Sequence, residues 1–147
     1  MVKHGIFFAA AICILVLFTG CNSNKQESVT QGNVTVTRTL PSTVHGWENF
    51  TVSLSMTVNG SLSAIGLEED YPPGWTVSNI PLKGVLQHNP DRIEWLFWPL
   101  GEPITNRTIN YTITAPGNYS GTALFKGKII AKTTSPITGD TSVNVIS

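Results

Sequence analysis

Acid–base or metal chemistry needs imidazoles, thiolates or convergent carboxylates. His4 lies near the start, and His45 and His88 stand in the turn-like segments VHGWEN and QHNPD, with neither HxH nor HExxH spacing. Glu68, Glu69 and Asp70 form the one acidic cluster. Calcium takes about six to eight oxygens at defined spacing, which three consecutive carboxylates ahead of YPP do not provide. A solvated loop is the expected role of that cluster. A Ser-His-Asp site assembles in space rather than along the chain, so residue types alone do not address it. The expectation is a protein without catalytic residues, metal or cofactor.

The spacing does support glycan transfer onto asparagine. In NRTINYTIT, Asn106 to Thr114, every second residue is small and polar, and two N-x-T acceptors, Asn106/Thr108 and Asn110/Thr112, fall on that parity. Asn33, Asn49, Asn59 and Asn118 also open N-x-S/T, whereas Asn89 precedes Pro90 and is excluded. Chance would make only about two of the asparagines into acceptors. Thr-rich outward strand faces raise that figure. At Asn33, Asn49, Asn106 and Asn110 the acceptor and its threonine share the expected solvent face. Modification is expected in an archaeal host and not in most bacteria.

Aromatic rings supply a third kind of chemistry, stacking on sugar faces. Tyr71, Trp75, Trp95, Phe97 and Trp98 are close in sequence. Alternation puts Ile93, Trp95 and Phe97 on one parity and Leu96 and Trp98 on the other, so Trp98 is exposed if the first set fills the core. Packing is the expected role of these rings, and a ligand platform of Tyr71, Trp75 and Trp98 is the alternative.

These side chains matter only where the chain is placed. MVKHGIFFAAAICILVLFTGC has a lysine, an apolar run from Ile6 to Phe18, and small residues before Cys21. That is the layout of an export signal, and the run is short of the roughly 20 residues of a stable span. The junction FTGC resembles the lipobox of prokaryotic lipoproteins, with Phe18 in place of the usual leucine. The resemblance implies cleavage before Cys21 and lipid on its thiol. Cys13 would leave with the signal, so Cys21 would be the one cysteine of the mature chain. An ordinary cysteine beside a cleavage site and an intermolecular disulfide are the competing readings.

Loss of Lys3 leaves eight basic residues, dispersed, against nine acidic ones. That is not the clustered basic surface of a nucleic-acid binder. The expected organisation is a signal at residues 1–20, a lipidated cysteine and polar flexible tether at 21–32, and one domain at 33–147.

Period-two alternation dominates that domain. In NFTVSLSMTV, Phe50, Val52, Leu54, Met56 and Val58 alternate with Thr and Ser, and Ile109, Tyr111 and Ile113 do the same downstream. VTVTRTL alternates too, but Arg38 falls on the apolar parity, which predicts an edge position or a strand end. Further strands are expected at Leu62–Leu67, Thr76–Ile80, Arg92–Trp98, Gly121–Lys132 and Thr141–Ile146. They are divided by NG, YPPGW, HNPD, GEP, APGN and TGD, all turn chemistry. No stretch of the mature chain reads as an amphipathic helix. The expected fold is all-β, an antiparallel β-sandwich whose apolar faces meet, so Met56→Asp should unfold it.

The series ENFTVSLSMTV, AIGLEEDYPPGWTV, IEWLFWP, NYTITAP, NYSGTALFKG and ITGDTSVNV resembles a recurring domain of archaeal, especially methanogen, and some bacterial cell-surface proteins. The resemblance covers nearly all of the chain after the tether. It implies an immunoglobulin-like or cohesin-like sandwich and offers no catalytic residues. The expectation is a non-enzymatic lipoprotein on the extracellular face of the membrane, held by its lipid. It would be a structural or protein-interaction module of the envelope whose partner is an envelope protein or a glycan. A carbohydrate-binding or other ligand-binding surface module is the alternative.

Overall fold

The structure, a computed structural model, describes residues 32–146 apart from Asn89. The segments expected to be a signal and a tether, with Cys21 between them, lie outside the described residues. What is described is all strand, turn and loop. Among the described residues no helix is long and apolar enough to cross a membrane.

Alternating sequence becomes alternating burial. β1 (Asn33–Thr39) and β3 (Asn49–Asn59) pair antiparallel, and β3 pairs in turn with β8 (Arg107–Thr114). Adding β5 (Thr76–Ser78) on β8 and β12 (Thr138–Gly139) on β1 gives a first sheet of order β12-β1-β3-β8-β5. The second sheet, in order β11-β10-β4-β7-β6, contains β4 (Ile65–Asp70), β6 (Val85–His88), β7 (Asp91–Phe97), β10 (Lys126–Ile130) and β11 (Thr134–Pro136). A small third sheet places β13 (Ser142–Ile146) between β2 (Thr43–His45) and β9 (Gly121–Leu124). The fold is a β-sandwich.

Its two halves are joined at one edge by the C-terminal segment. β11 borders the second sheet, and across Ile137 the chain becomes β12, which borders the first. β12 and β13 then run parallel to β1 and β2 in one register, Thr37 opposite Thr138 and Thr43 opposite Asn144. The expected single strand 121–132 is broken at Phe125. Between the pairs Leu124↔Ser142 and Lys128↔Pro136 the later segment holds two residues more than the earlier one, a bulge that contains Gly139 at φ +87°. The Phe125 N–H reaches the Thr141 carbonyl at 2.9 Å instead of joining a ladder.

The core holds Phe50, Val52, Leu54, Met56, Ile109, Tyr111 and Ile113 from the first sheet, and Ile65, Leu67, Ile93, Trp95 and Ile129 from the second. Burying each large apolar side chain contributes roughly 1.5–3 kcal/mol. Val58, expected inside, is half-buried against this core because it nears the end of β3. Trp75 closes one pole, edge-on to Phe50 at 6.0 Å, Tyr119 at 5.6 Å and Phe125 at 6.0 Å.

Arg38 refines the sequence reading. It stands one residue from the end of β1, as a strand-end position requires, but it is buried and borders the short β12 rather than an open edge. The acidic cluster is likewise no solvated loop. Glu68, Glu69 and Asp70 lie on β4, which begins at Ile65 rather than Leu62, and alternation turns Glu69 inward to full burial.

Candidate functional site

The outer face of the first sheet is made of one kind of side chain. Asn33, Thr35, Thr37 and Thr39 point outward from β1, and Asn49, Thr51, Ser53, Ser55, Thr57 and Asn59 from β3. β8 adds Thr108, Asn110, Thr112 and Thr114, and β5 adds Thr76 and Ser78. Pairing sets them in cross-strand rows, such as Thr138–Thr37–Ser55–Thr108 and Thr39–Ser53–Asn110. Every one of these positions is a hydroxyl or an amide. The surface hydrogen-bonds and carries neither charge nor apolar bulk.

The acceptor asparagines Asn33, Asn49, Asn59, Asn106, Asn110 and Asn118 are all exposed, and all belong to this side of the sandwich or to the loops flanking β8. Asn33 and Asn59 are cross-strand partners, and Asn110 stands near the middle of the sheet. The Asn106 Oδ1 accepts the Val58 N–H at 2.7 Å, leaving its amide nitrogen outside that bond.

The second sheet presents a different surface. Its outward rows are Lys126–Asp70–Arg92–Gln87, then Lys128–Glu68–Glu94–Val85, then Ile130–Gly66–Leu96. Arg92 sits at the centre, with Nε 2.5 Å from Asp70 Oδ1 and one terminal nitrogen 2.5 Å from Glu68 Oε2. Lys128 Nζ approaches Glu68 at 3.1 Å. The hydrogen bond to Asp70 above all, and the three surrounding carboxylates, hold the Arg92 guanidinium more firmly protonated than usual. Along the strands this charged ladder gives way to exposed Val85, Leu96, Trp98, Leu100 and Leu82. Two adjoining hollows of about 510 and 570 Å³ share Leu82, Lys83, Leu96 and Trp98 as walls.

Between the sheets lies a buried polar centre. Arg38 Nε and Nη2 donate to the two Glu69 oxygens at 2.7 and 2.6 Å, across the sandwich. The Tyr111 hydroxyl donates to Glu69 Oε1 at 3.1 Å, and Arg38 Nη1 to the Asp140 carbonyl at 2.9 Å. Burial pushes the Glu69 carboxyl up, while the guanidinium and the tyrosine hydroxyl pull it back. Both its oxygens accept hydrogen bonds, so it is held as a carboxylate. The same burial, with the Glu69 charge beside it, raises the Tyr111 hydroxyl well above its ordinary range. Neither of the two hollows beside Trp98 is lined by Arg38, Glu69 or Tyr111.

The three aromatics of the alternative ligand platform are separated. Tyr71 and Trp75 are buried, and only Trp98, 51% exposed, faces solvent. They form no platform. The physical reason is the PPGW turn: Gly74 at φ +79° and the Trp75 N–H bonded to the Pro72 carbonyl at 3.4 Å fold that segment back onto the core. His45 is exposed at the pole opposite Trp98. Among the described residues no three His, Cys, Asp or Glu side chains are placed to hold a metal. Sequence reasoning missed Leu82, Val85 and Leu100. Leu100 had a signal, since an apolar residue in the turn segment WPLGEP has no strand face to join.

Compared with known protein families and with curated proteins, the sequence matches none. Among solved structures it is similar to a non-cellulosomal cohesin from the hyperthermophilic archaeon Archaeoglobus fulgidus. The TM-score is 0.47 and the identity 13%, covering 78% of this chain and 91% of that one. At that level the likeness bears on no site or partner, and the sandwich assignment stands on the strand pairing above.

Proposed function

We propose that the protein is a non-enzymatic, lipid-tethered module of the cell envelope that meets a protein partner through the outer face of β10, β4, β7 and β6. The observation that carries this function is the segregation of the two faces. One is uncharged and bears the acceptor asparagines. The other mixes an ion-pair ladder with the exposed side chains of Val85 and Leu96 and has no acceptor. Protein interfaces combine an apolar centre with a polar, charged rim, and contiguous exposed apolar surface marks interaction sites. Glycans on the first face would exclude partners there and leave the second face open. Cys21, cut and acylated, would hold the domain on the extracellular side of the membrane.

Carbohydrate binding is the less favoured reading, because Trp98 stands without the other two rings. A pull-down from envelope extract and a glycan array separate the two classes. A protein captured by the wild type and by Trp98→Ala, but lost with Val85→Arg/Lys128→Glu, is the expected result. Sugar binding abolished by Trp98→Ala would overturn it in favour of the carbohydrate reading.

A further inference from the structure

The strands fix which end of the sandwich faces the tether. β1 begins where β3 ends, and the Gly32 N–H bonds to the Ser61 carbonyl at 3.3 Å, so the chain enters beside the β3–β4 loop. Gly60 and Val58 share a hollow with Pro103, Ile104 and Thr105. Those same three residues wall the next hollow with Leu82, Trp98 and Leu100. The Arg107 guanidinium lies over the Phe97 ring at 4.8 Å and ties β8 of the first sheet to β7 of the second at this end. The entry point and the exposed apolar cluster therefore belong to one pole.

We propose that this pole rests on the lipid bilayer, with Leu82, Trp98 and Leu100 entering the headgroup region and Lys83, Lys132 and Arg107 facing lipid phosphates. The proposal deepens the tethered-module function and rests on its anchoring at Cys21. Leu100 is 81% exposed, Trp98 51% and Leu82 49%, an arrangement that costs free energy in water and gains it at an interface. Tryptophan suits that boundary because its ring is amphipathic, and lysine because its stem lies along apolar surface while its head stays polar. In the hollow walled by Leu82, Trp98 and Leu100, Glu102 is the one acid against Lys83 and Arg107, while Glu68 and Glu94 of the adjoining hollow are paired with Arg92 and Lys128.

Reach supports the same occupant. From Cys21 to Gly32 the chain spans at most about 40 Å. β3 alone is about 36 Å long, so only a tether at nearly full extension would let the opposite pole meet the membrane, and every shorter path leaves the entry pole nearest. Asn33, Asn59 and Asn106 stand on the first-sheet side of the pole. Glycans there would lean the domain onto its apolar rim. The charged ladder of the second sheet would then stand up from the membrane, accessible to a partner from the side.

Trp47 provides an internal control, because it is 77% exposed and bonded at the far pole, its N–H to the Ala115 carbonyl at 3.0 Å. The mature chain would be reconstituted in phosphatidylcholine–phosphatidylglycerol vesicles carrying brominated acyl chains, and tryptophan quenching measured. Quenching should persist in Trp47→Phe and vanish in Trp98→Phe. In parallel, vesicle partitioning of the unacylated Cys21→Ser chain should fall on the order of tenfold or more with Trp98→Ser/Leu100→Ser. Lipid on Cys21 with no quenching of Trp98 would overturn the resting pole and leave the anchor standing. An unmodified Cys21 with Trp98 still quenched would remove the anchor and support the pole. Quenching of Trp47 instead, or a Trp98 surface occupied by a second copy or a protein in the absence of lipid, would also overturn it.

Discussion

Replacing Arg38 by methionine tests how the sandwich tolerates charge at its centre. Arg38 is 1% exposed and Glu69 0%, and the pair is joined by two hydrogen bonds across the two sheets. Removing one partner of such a pair strands an uncompensated charge and costs about 3–5 kcal/mol. For a domain of this size, an unfolding entropy of about 0.24 kcal/mol/K turns a loss of about 4 kcal/mol into a fall in Tm of about 17 °C. Such a loss is a large part of the roughly 5–15 kcal/mol that holds a typical domain folded. Urea denaturation followed by tryptophan fluorescence and thermal melts by circular dichroism would measure it. The triple variant Arg38→Met/Glu69→Leu/Tyr111→Phe removes every polar side chain of the centre together, leaving the part-buried Asp140 carbonyl, and should lie within about 2 kcal/mol of wild type. If Arg38→Met costs less than about 1 kcal/mol, the pair is not buried as described. If the triple variant is as unstable as the single one, lost packing rather than the stranded charge explains the cost.

Met56→Asp puts a carboxylate at a position 1% exposed and should unfold the domain at room temperature, read as loss of the β-type circular dichroism signal. Gly139→Ala should cost roughly 1–3 kcal/mol or more in urea, since φ is +87° and a Cβ there would collide with the Arg38 carbonyl. Tyr111 holds its proton in the folded state well beyond the unfolded value near about 10. Its contribution is therefore complete below that pH and is lost as pH rises, so stability should fall above it, less steeply in Tyr111→Phe than in wild type. In an archaeal host Asn110→Gln should lower the intact mass by one glycan without changing Tm by more than about 2 °C, because Asn110 is exposed on the sheet face.

Much of the fold is legible because one face of each long strand is wet. β1, β3 and β8 declare themselves through Thr, Ser and Asn at every second position, and the same residues are the hydroxyl face. The terminal GD is legible as a turn, but its purpose is not. Gly139 supplies the bulge, and Asp140 accepts the Leu40 N–H at 2.9 Å and donates its own N–H to the Arg38 carbonyl at 3.0 Å. The pattern puts Arg38 near a strand end but hides its role, because parity reports which face a side chain takes, not what waits there. Its partner Glu69 stands on the facing sheet, and no local pattern joins the two. Glu69 was misread for the complementary reason: three consecutive acids look solvated, yet alternation sends the middle one inward. On the second face alternation already turns Leu96 and Trp98 outward, but their meeting with Leu82, Val85 and Leu100 is illegible in sequence, because these come from β6, β7 and the turns beside them and meet only in space.

The division of labour between the two faces is tested most directly by photocrosslinking in the native envelope, with a benzophenone amino acid placed at Val85 in one strain and at Thr51 in another. Both positions are exposed, one on each outer face. Illumination should give a discrete protein adduct from position 85 and none from position 51. An adduct from Thr51 alone, or none from either position, would contradict the assignment of the β10-β4-β7-β6 face as the interaction surface.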